Sequence, residues 1–231
     1  MNFRVGIENN NEGFRSIAWA LEHPGCFAYG NDEKEALANF PEAIHAYSAW
    51  VRRHEASWLD ETHVKLKVEE AFTAYCIDES FERIDNSGDE VNAWFQHDWK
   101  PLAAREVEYG LKLLSWTRSD LLITIKGLSA EKLDQTYPGE RWSIRGILDH
   151  IGGAEWWYLN RLGLAFARGE LSPEPIERLE KVRNQLNRLL PQLEGSKQVV
   201  GINGEFWSPR KMLRRAVWHE RDHITHIQKL L

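Results

Sequence analysis

The sequence predicts an α+β chain: a small β-β-β-α-β domain over residues 1–77, a linker over 78–100, and a four-helix bundle over 101–231. Three observations point there. Short runs of β-branched and aromatic residues, broken by turn-forming residues, crowd the first thirty positions. From about residue 101 the apolar residues recur at steps of three and four, the period of an α-helix. On the last of these helical stripes His219, His223 and His226 fall in line with Met212, Ala216 and Leu230. Such a row of imidazoles is costly to bury unless something ties the rings together.

In chain order, Phe3–Glu8, Phe14–Ala20 and Cys26–Tyr29 read as strands, separated by Glu8-Asn9-Asn10-Asn11-Glu12-Gly13 and by His23-Pro24-Gly25. A helix follows, capped by Asn31 or Asp32, with Glu33 and Glu35 at the positive end of its dipole. Ala36, Leu37, Phe40, Ala43, Ile44, Tyr47 and Val51 form its apolar face, and Pro41 predicts a kink or a restart. Val64–Glu69 alternates with period two and reads as a further strand with one face buried. The acidic stretch through Asp85-Asn86-Ser87-Gly88 reads as loop, and the aromatic cluster Trp94–Trp99 as a docking segment.

Helical patterns then span about 101–127, 143–162, 174–190 and 208–231. Val107, Leu111, Leu114, Arg118, Leu121, Leu122 and Ile125 repeat on the first; Ser143 caps the second. Leu179, Val182, Leu186 and Leu189 repeat on the third, which Pro191 and Gly195 close. Ser208 caps the fourth, with Pro209 at its first position. Four amphipathic helices joined by loops make a bundle.

With 231 residues, 42% of them hydrophobic, the chain can bury real cores. Its eleven tryptophans are expected mainly at core positions and core edges. Cys26 and Cys76 lack the C-x-x-C spacing and read as reduced thiols. No apolar run is long enough to cross a membrane and no signal peptide is evident, so a cytoplasmic location is expected. Residues 1–97 hold 8 basic and 18 acidic side chains, a net −10, while 98–231 are net +4. Neither half has the basic footprint of a nucleic-acid binder.

The segment His219-Glu220-Arg221-Asp222-His223 is a literal H-E-x-x-H, the zinc-protease pattern, but only eight residues follow His223, too few for the usual downstream third ligand. The third candidate lies upstream: His150, in the helix that Ser143 caps, with Gly152 and Gly153 beside it. His219 and His223, one turn apart, stand with Cβ atoms about 5–6 Å apart, workable for two nitrogens on one metal ion. His226 reads as a buried neighbour of the site rather than a fourth ligand, Glu220 points about 100° away from His219 and is not expected to act as a base, and Asp222 and Glu155 read as supporting or surface carboxylates. The run Arg210-Lys211 and Arg214-Arg215 reads as the solvated face of the last helix, able to attract an anionic substrate.

Two resemblances add to this reading. Pro24-Gly25-Cys26-Phe27-Ala28-Tyr29-Gly30-Asn31-Asp32, with Lys34–Ile44 after it, resembles the HicB-like antitoxin domain over roughly residues 3–75. That implies a small α/β fold related to part of ribonuclease H and used to bind partners; the DNA-binding extension of many antitoxins is not visible. Residues 98–231 resemble the DinB-like (DinB/YfiT-like) metalloprotein family through Trp142-Ser143-Ile144-Arg145, Leu148-Asp149-His150-Ile151, Glu155–Leu159 and Trp218–Ile224. This resemblance implies a divalent metal on His150, His219 and His223, with zinc first and nickel or iron admissible.

From that family follows the expectation of a metal-dependent S-transferase or hydrolase that activates a thiol or water against a small-molecule substrate, with a low-molecular-weight thiol as a further cofactor. The alternative is a non-catalytic, partner-binding protein in which the metal is structural and the HicB-like half engages a protein. Both families self-associate, so a homodimer is expected.

Overall fold

Alternation of Phe3, Val5 and Ile7 sinks one face of the first strand completely, and these three residues are buried in the computed structural model of the chain. The structure describes residues 2–11, 15–55, 64–84 and 88–231. Glu12, Gly13 and Phe14, and Asp85-Asn86-Ser87 of the expected linker, lie outside the described residues. A mixed α+β architecture is found, with a small sheet in the N-terminal part and helices in the C-terminal part. Two compact units divide the chain: residues 1–100 with 201–207, and residues 101–200 with 208–231.

In the first unit β1 (Asn2–Asn11), β2 (Arg15–Ala20), β3 (Phe27–Gly30) and β4 (Lys65–Thr73) form a sheet in the order β3-β2-β1-β4. β1 runs antiparallel to β2, with Val5 opposite Ala20 and Ile7 opposite Ala18, and parallel to β4, with Phe3 opposite Leu66. Helix α1 (Glu33–His54) starts on Asp32, whose side chain accepts from the Glu35 amide, and lays Ala36, Phe40, Ile44, Tyr47 and Val51 over β2 and β3.

Pro41 does not interrupt α1. It stands on the exposed face, where water can serve the carbonyl its ring leaves unbonded, while buried Phe40 and Ile44 hold the flanking turns to the sheet. β4 departs from the expectation of one buried face: Val68 is 41% exposed and Leu66 half-buried. This strand is at the sheet's edge, beyond the strands that α1 covers, and its register with β1 shifts after Val5.

The stretch read as linker carries structure. β5 (Tyr75–Ile77), β6 (Arg83–Ile84) and β7 (Asp89–Val91) form a small antiparallel sheet in the order β6-β5-β7. Asp78 organises the β5–β6 turn by accepting from the amides of Ser80 and Glu82. Strands of two or three residues are too short to leave a period in the sequence. Two buried carboxylates complete this unit. Glu8 accepts from the Trp19 indole at 3.0 Å and from the Ala93 amide at 2.9 Å. Glu205, in the hairpin of β8 (Val200–Ile202) and β9 (Glu205–Trp207), accepts from the Trp207 indole at 2.8 Å and from the Asn92 amide at 3.3 Å. Phe206 adds ring contacts with Trp94 and Trp99.

The second unit holds the long helices α2 (Ala104–Ile125), α4 (Ile144–Arg161), α5 (Pro175–Leu189) and α6 (Pro209–Leu230) and the short α3 (Ala130–Asp134). α6 packs on α2 and α4, and α4 on α5. A core of Leu121, Ile144, Ile147, Leu148, Ile151, Leu179, Ile224 and Ile227 joins them. No helix among the described residues is long and apolar enough to cross a membrane.

Candidate metal centre

Ser143 fixes the start of α4 by accepting from the Gly146 amide at 3.2 Å, which puts His150 two turns into the helix. Ser208 does the same for α6 through the Lys211 amide, with Pro209 first in the helix. Ile147 and Ile151 on α4 and Ile224 and Ile227 on α6 share one core cluster, and burying them turns His150, His219 and His223 toward one another. The three expected site residues thus meet: Nε2 of His219 lies 2.9 Å from Nε2 of His150 and 3.2 Å from Nε2 of His223. One nitrogen from each ring can be chosen so that all three lie within 4.8 Å of one another.

A neutral imidazole nitrogen carries either one hydrogen or one lone pair, so Nε2 of His219 can complete one hydrogen bond, not two. One of its two close nitrogen contacts therefore has no hydrogen bond to account for it. A cation accounts for both, since nitrogens at about 2.0–2.1 Å from a tetrahedral ion stand roughly 3.3 Å apart. The charge states agree with that use. Burial holds His219 well below the usual histidine range, with further lowering from His223, His150 and Arg215. Burial, then His150 and His226, pushes His223 down to about 3. Neutral rings keep their lone pairs for a ligand role.

The family model described as the DinB superfamily matches residues 113–227, a span that contains all three histidines. Residues 113–227 are a DinB superfamily domain.

A protein of Oceanobacillus iheyensis with the name “Putative metal-dependent hydrolase” is 26% identical over 146 residues, covering 53% of this chain and 84% of its own. A UPF0150 protein of Thermoplasma acidophilum is 40% identical over 55 residues, 23% of this chain and 77% of its own, so over that stretch the chain belongs with the UPF0150 family. No solved structure matches the chain significantly.

Within the DinB domain the other sequence-based expectations divide. Glu220 is not at the histidine cluster: it is 1% exposed and accepts from Arg118 Nε at 2.7 Å, from Arg183 Nη2 at 2.7 Å and from the Thr117 hydroxyl. Two guanidinium groups hold its carboxyl below the ordinary range against the cost of burial. The H-E-x-x-H spelling therefore carries no protease base. Glu155 is likewise no surface group; it is buried and accepts from Arg183 at 2.8 and 2.9 Å and from Arg118 at 3.1 Å.

His226 turns aside from the cluster, with its Nε2 2.8 Å from Glu140 Oε2. The basic run overturns the solvated-face expectation, since Arg210, Lys211, Arg214 and Arg215 are all buried. Arg210 spans Glu106 at 2.6 Å through both terminal nitrogens. Trp142, named in sequence only as part of a motif, stacks on His150.

Proposed function

We propose that the DinB domain is a metal-dependent hydrolytic domain whose ion is held by His150, His219 and His223. The observation that carries this reading is the position of His219 Nε2 between the Nε2 atoms of His150 and His223. Zinc suits three imidazoles best, with nickel and iron admissible by donor type. A divalent ion held there supplies Lewis acidity that lowers the pKa of a bound water or thiol. Burial keeps His219 and His223 neutral, so each presents a lone pair rather than a positive charge. Trp142 holds one face of His150, and Tyr158 and Trp218 flank His219 with apolar rings.

The name of the Oceanobacillus relative favours water over a low-molecular-weight thiol as the nucleophile; S-transfer is the second arm to assay. The competing reading, a structural metal in a partner-binding protein, asks for a closing fourth ligand, and His226 is engaged by Glu140 instead. We read the long helices as a four-helix bundle, and the strand order of the first unit, with its parallel β1–β4 pair, as HicB-like: a surface for a protein partner, in a cytoplasmic homodimer acting on a small molecule.

Metal content by inductively coupled plasma mass spectrometry tests the site, on tag-free protein and on His150→Ala and His219→Ala. Near-stoichiometric metal lost in both variants is expected. A wild type that takes up neither zinc, nickel nor iron would overturn the reading.

A further inference from the structure

The centre of the helical unit holds four charges that the proposed chemistry does not use. Arg118 on α2, Glu155 on α4, Arg183 on α5 and Glu220 on α6 form a closed ring in which each carboxylate accepts from both guanidiniums. Arg183 and the two glutamates are at most 4% exposed. Each arginine also donates a terminal nitrogen to a main-chain carbonyl of a neighbouring helix: Arg118 to Leu179 and Arg183 to Leu114. One member comes from each long helix, so the ring ties all four at a single level.

Stability alone is a poor account of such a ring. Removing charges from water costs several kcal/mol per ion, and well-packed apolar side chains of similar volume often serve stability as well or better. What apolar side chains lack is direction: a Leu can slide or rotate by part of a turn, whereas a bidentate guanidinium-carboxylate pair fits one placement. Glu220 is the residue after His219, and Glu155 lies five residues after His150. A rotation of α6 that broke the Glu220 bonds would carry His219 and His223 away from His150.

We propose that the Arg118–Glu155–Arg183–Glu220 ring is a register lock: it fixes the height and rotation of α6 against α2, α4 and α5 and thereby brings His219 and His223 onto His150. Glu220 is then a positioning residue of the histidine cluster. The lock concerns imidazole geometry and does not require the metal assignment.

The test uses the full chain with the ring replaced by apolar residues, Arg118→Met, Glu155→Leu, Arg183→Met and Glu220→Leu together. The readout is the set of histidine ring signals in proton–nitrogen correlation spectra of the metal-free protein, with zinc affinity by chelator competition alongside. The wild type is expected to give one set of ring signals for His150, His219 and His223. The replaced protein is expected to unfold at least as high in temperature yet give several or broadened sets, with zinc affinity at least ten-fold lower wherever the wild type binds zinc. Should it fail to fold, Arg183→Lys retains the charge but loses the fork, and the same loss of a single signal set is expected. Either folded variant with the wild-type ring signals overturns the lock. A wild type that binds no zinc leaves the ring signals as the deciding result and counts against the metal site alone.

Discussion

The indole of Trp142 lies stacked on the imidazole of His150, with ring centroids 4.5 Å apart and planes inclined by 24°. Trp142 directly precedes the cap residue of α4, so the turn that starts the helix also presses on the side chain two turns into it. Arg141 in turn sits over the indole, 4.6 Å from a ring centroid. Trp142→Leu removes the flat face that restrains the ring, and metal affinity is expected to fall about ten-fold, the low end of what groups orienting a ligand contribute. Trp142→Phe should recover most of it. Calorimetric titration with zinc checks both.

Glu220→Gln separates the two meanings of the H-E-x-x-H spelling. It leaves half-buried Arg118 and buried Arg183 with one carboxylate between them, and breaking a buried pair in this way costs about 3–5 kcal/mol. The expected result in urea unfolding is a midpoint shifted far down. A wild-type midpoint with activity abolished would return the residue to the role of base.

Phe81 closes the β5–β6 turn with φ at +62° and its side chain 58% exposed. An L-residue pays about 1–2 kcal/mol for that backbone, and an exposed ring returns little. Phe81→Gly is therefore expected to raise the melting temperature of the first unit. A fall would show that the ring is held by contacts stronger than the backbone strain.

Gly30 ends β3 at a close approach: a Cβ there would press into the main chain of Glu35 and Ala36 at the start of α1. Main chain cannot swing aside as a side-chain tip can. Gly30→Ala should lower stability by more than about 2 kcal/mol, the range of overpacking in a fixed core, as read by thermal unfolding.

His23 stands between Phe3 and Tyr47, and burial pushes its pKa down to about 4. The unfolded chain takes up a proton near 6.5 and the folded chain only near 4, so its contribution to stability is whole above 6.5 and drains away as pH falls toward 4. His23→Gln should flatten that part of the pH–stability curve. A slope unchanged by the substitution would place the acid sensitivity elsewhere.

Much of the histidine cluster was legible because its signals are local. Spacing of four puts His219 and His223 on one face, and the Ser143 and Ser208 caps fix where each helix starts. The long helices α4, α5 and α6 fall within a residue or so of their expected limits for the same reason. What stayed hidden depends on partners distant in sequence. Arg118 sat in an apolar stripe with no sign that Glu220, 102 positions on, would meet it. Lys211 and its basic neighbours looked solvated because four charges near a helix start usually are, and Val68 looked buried because alternation cannot tell an edge strand from a covered one. The three strands between Tyr75 and Val91 left no period at all.

The hairpin that closes with Trp207 gives the chain a particular order of completion during synthesis. Residues 1–100 leave the ribosome well before residues 201–207, yet the carboxylate that accepts from the Asn92 amide is Glu205, and the ring that packs on Trp94 and Trp99 is Phe206. The nascent first unit must wait through the making of α2, α4 and α5 before its last piece emerges. His219 and His223 follow within sixteen residues of Trp207. The pair of imidazoles thus emerges only after every other long helix of its unit is already out.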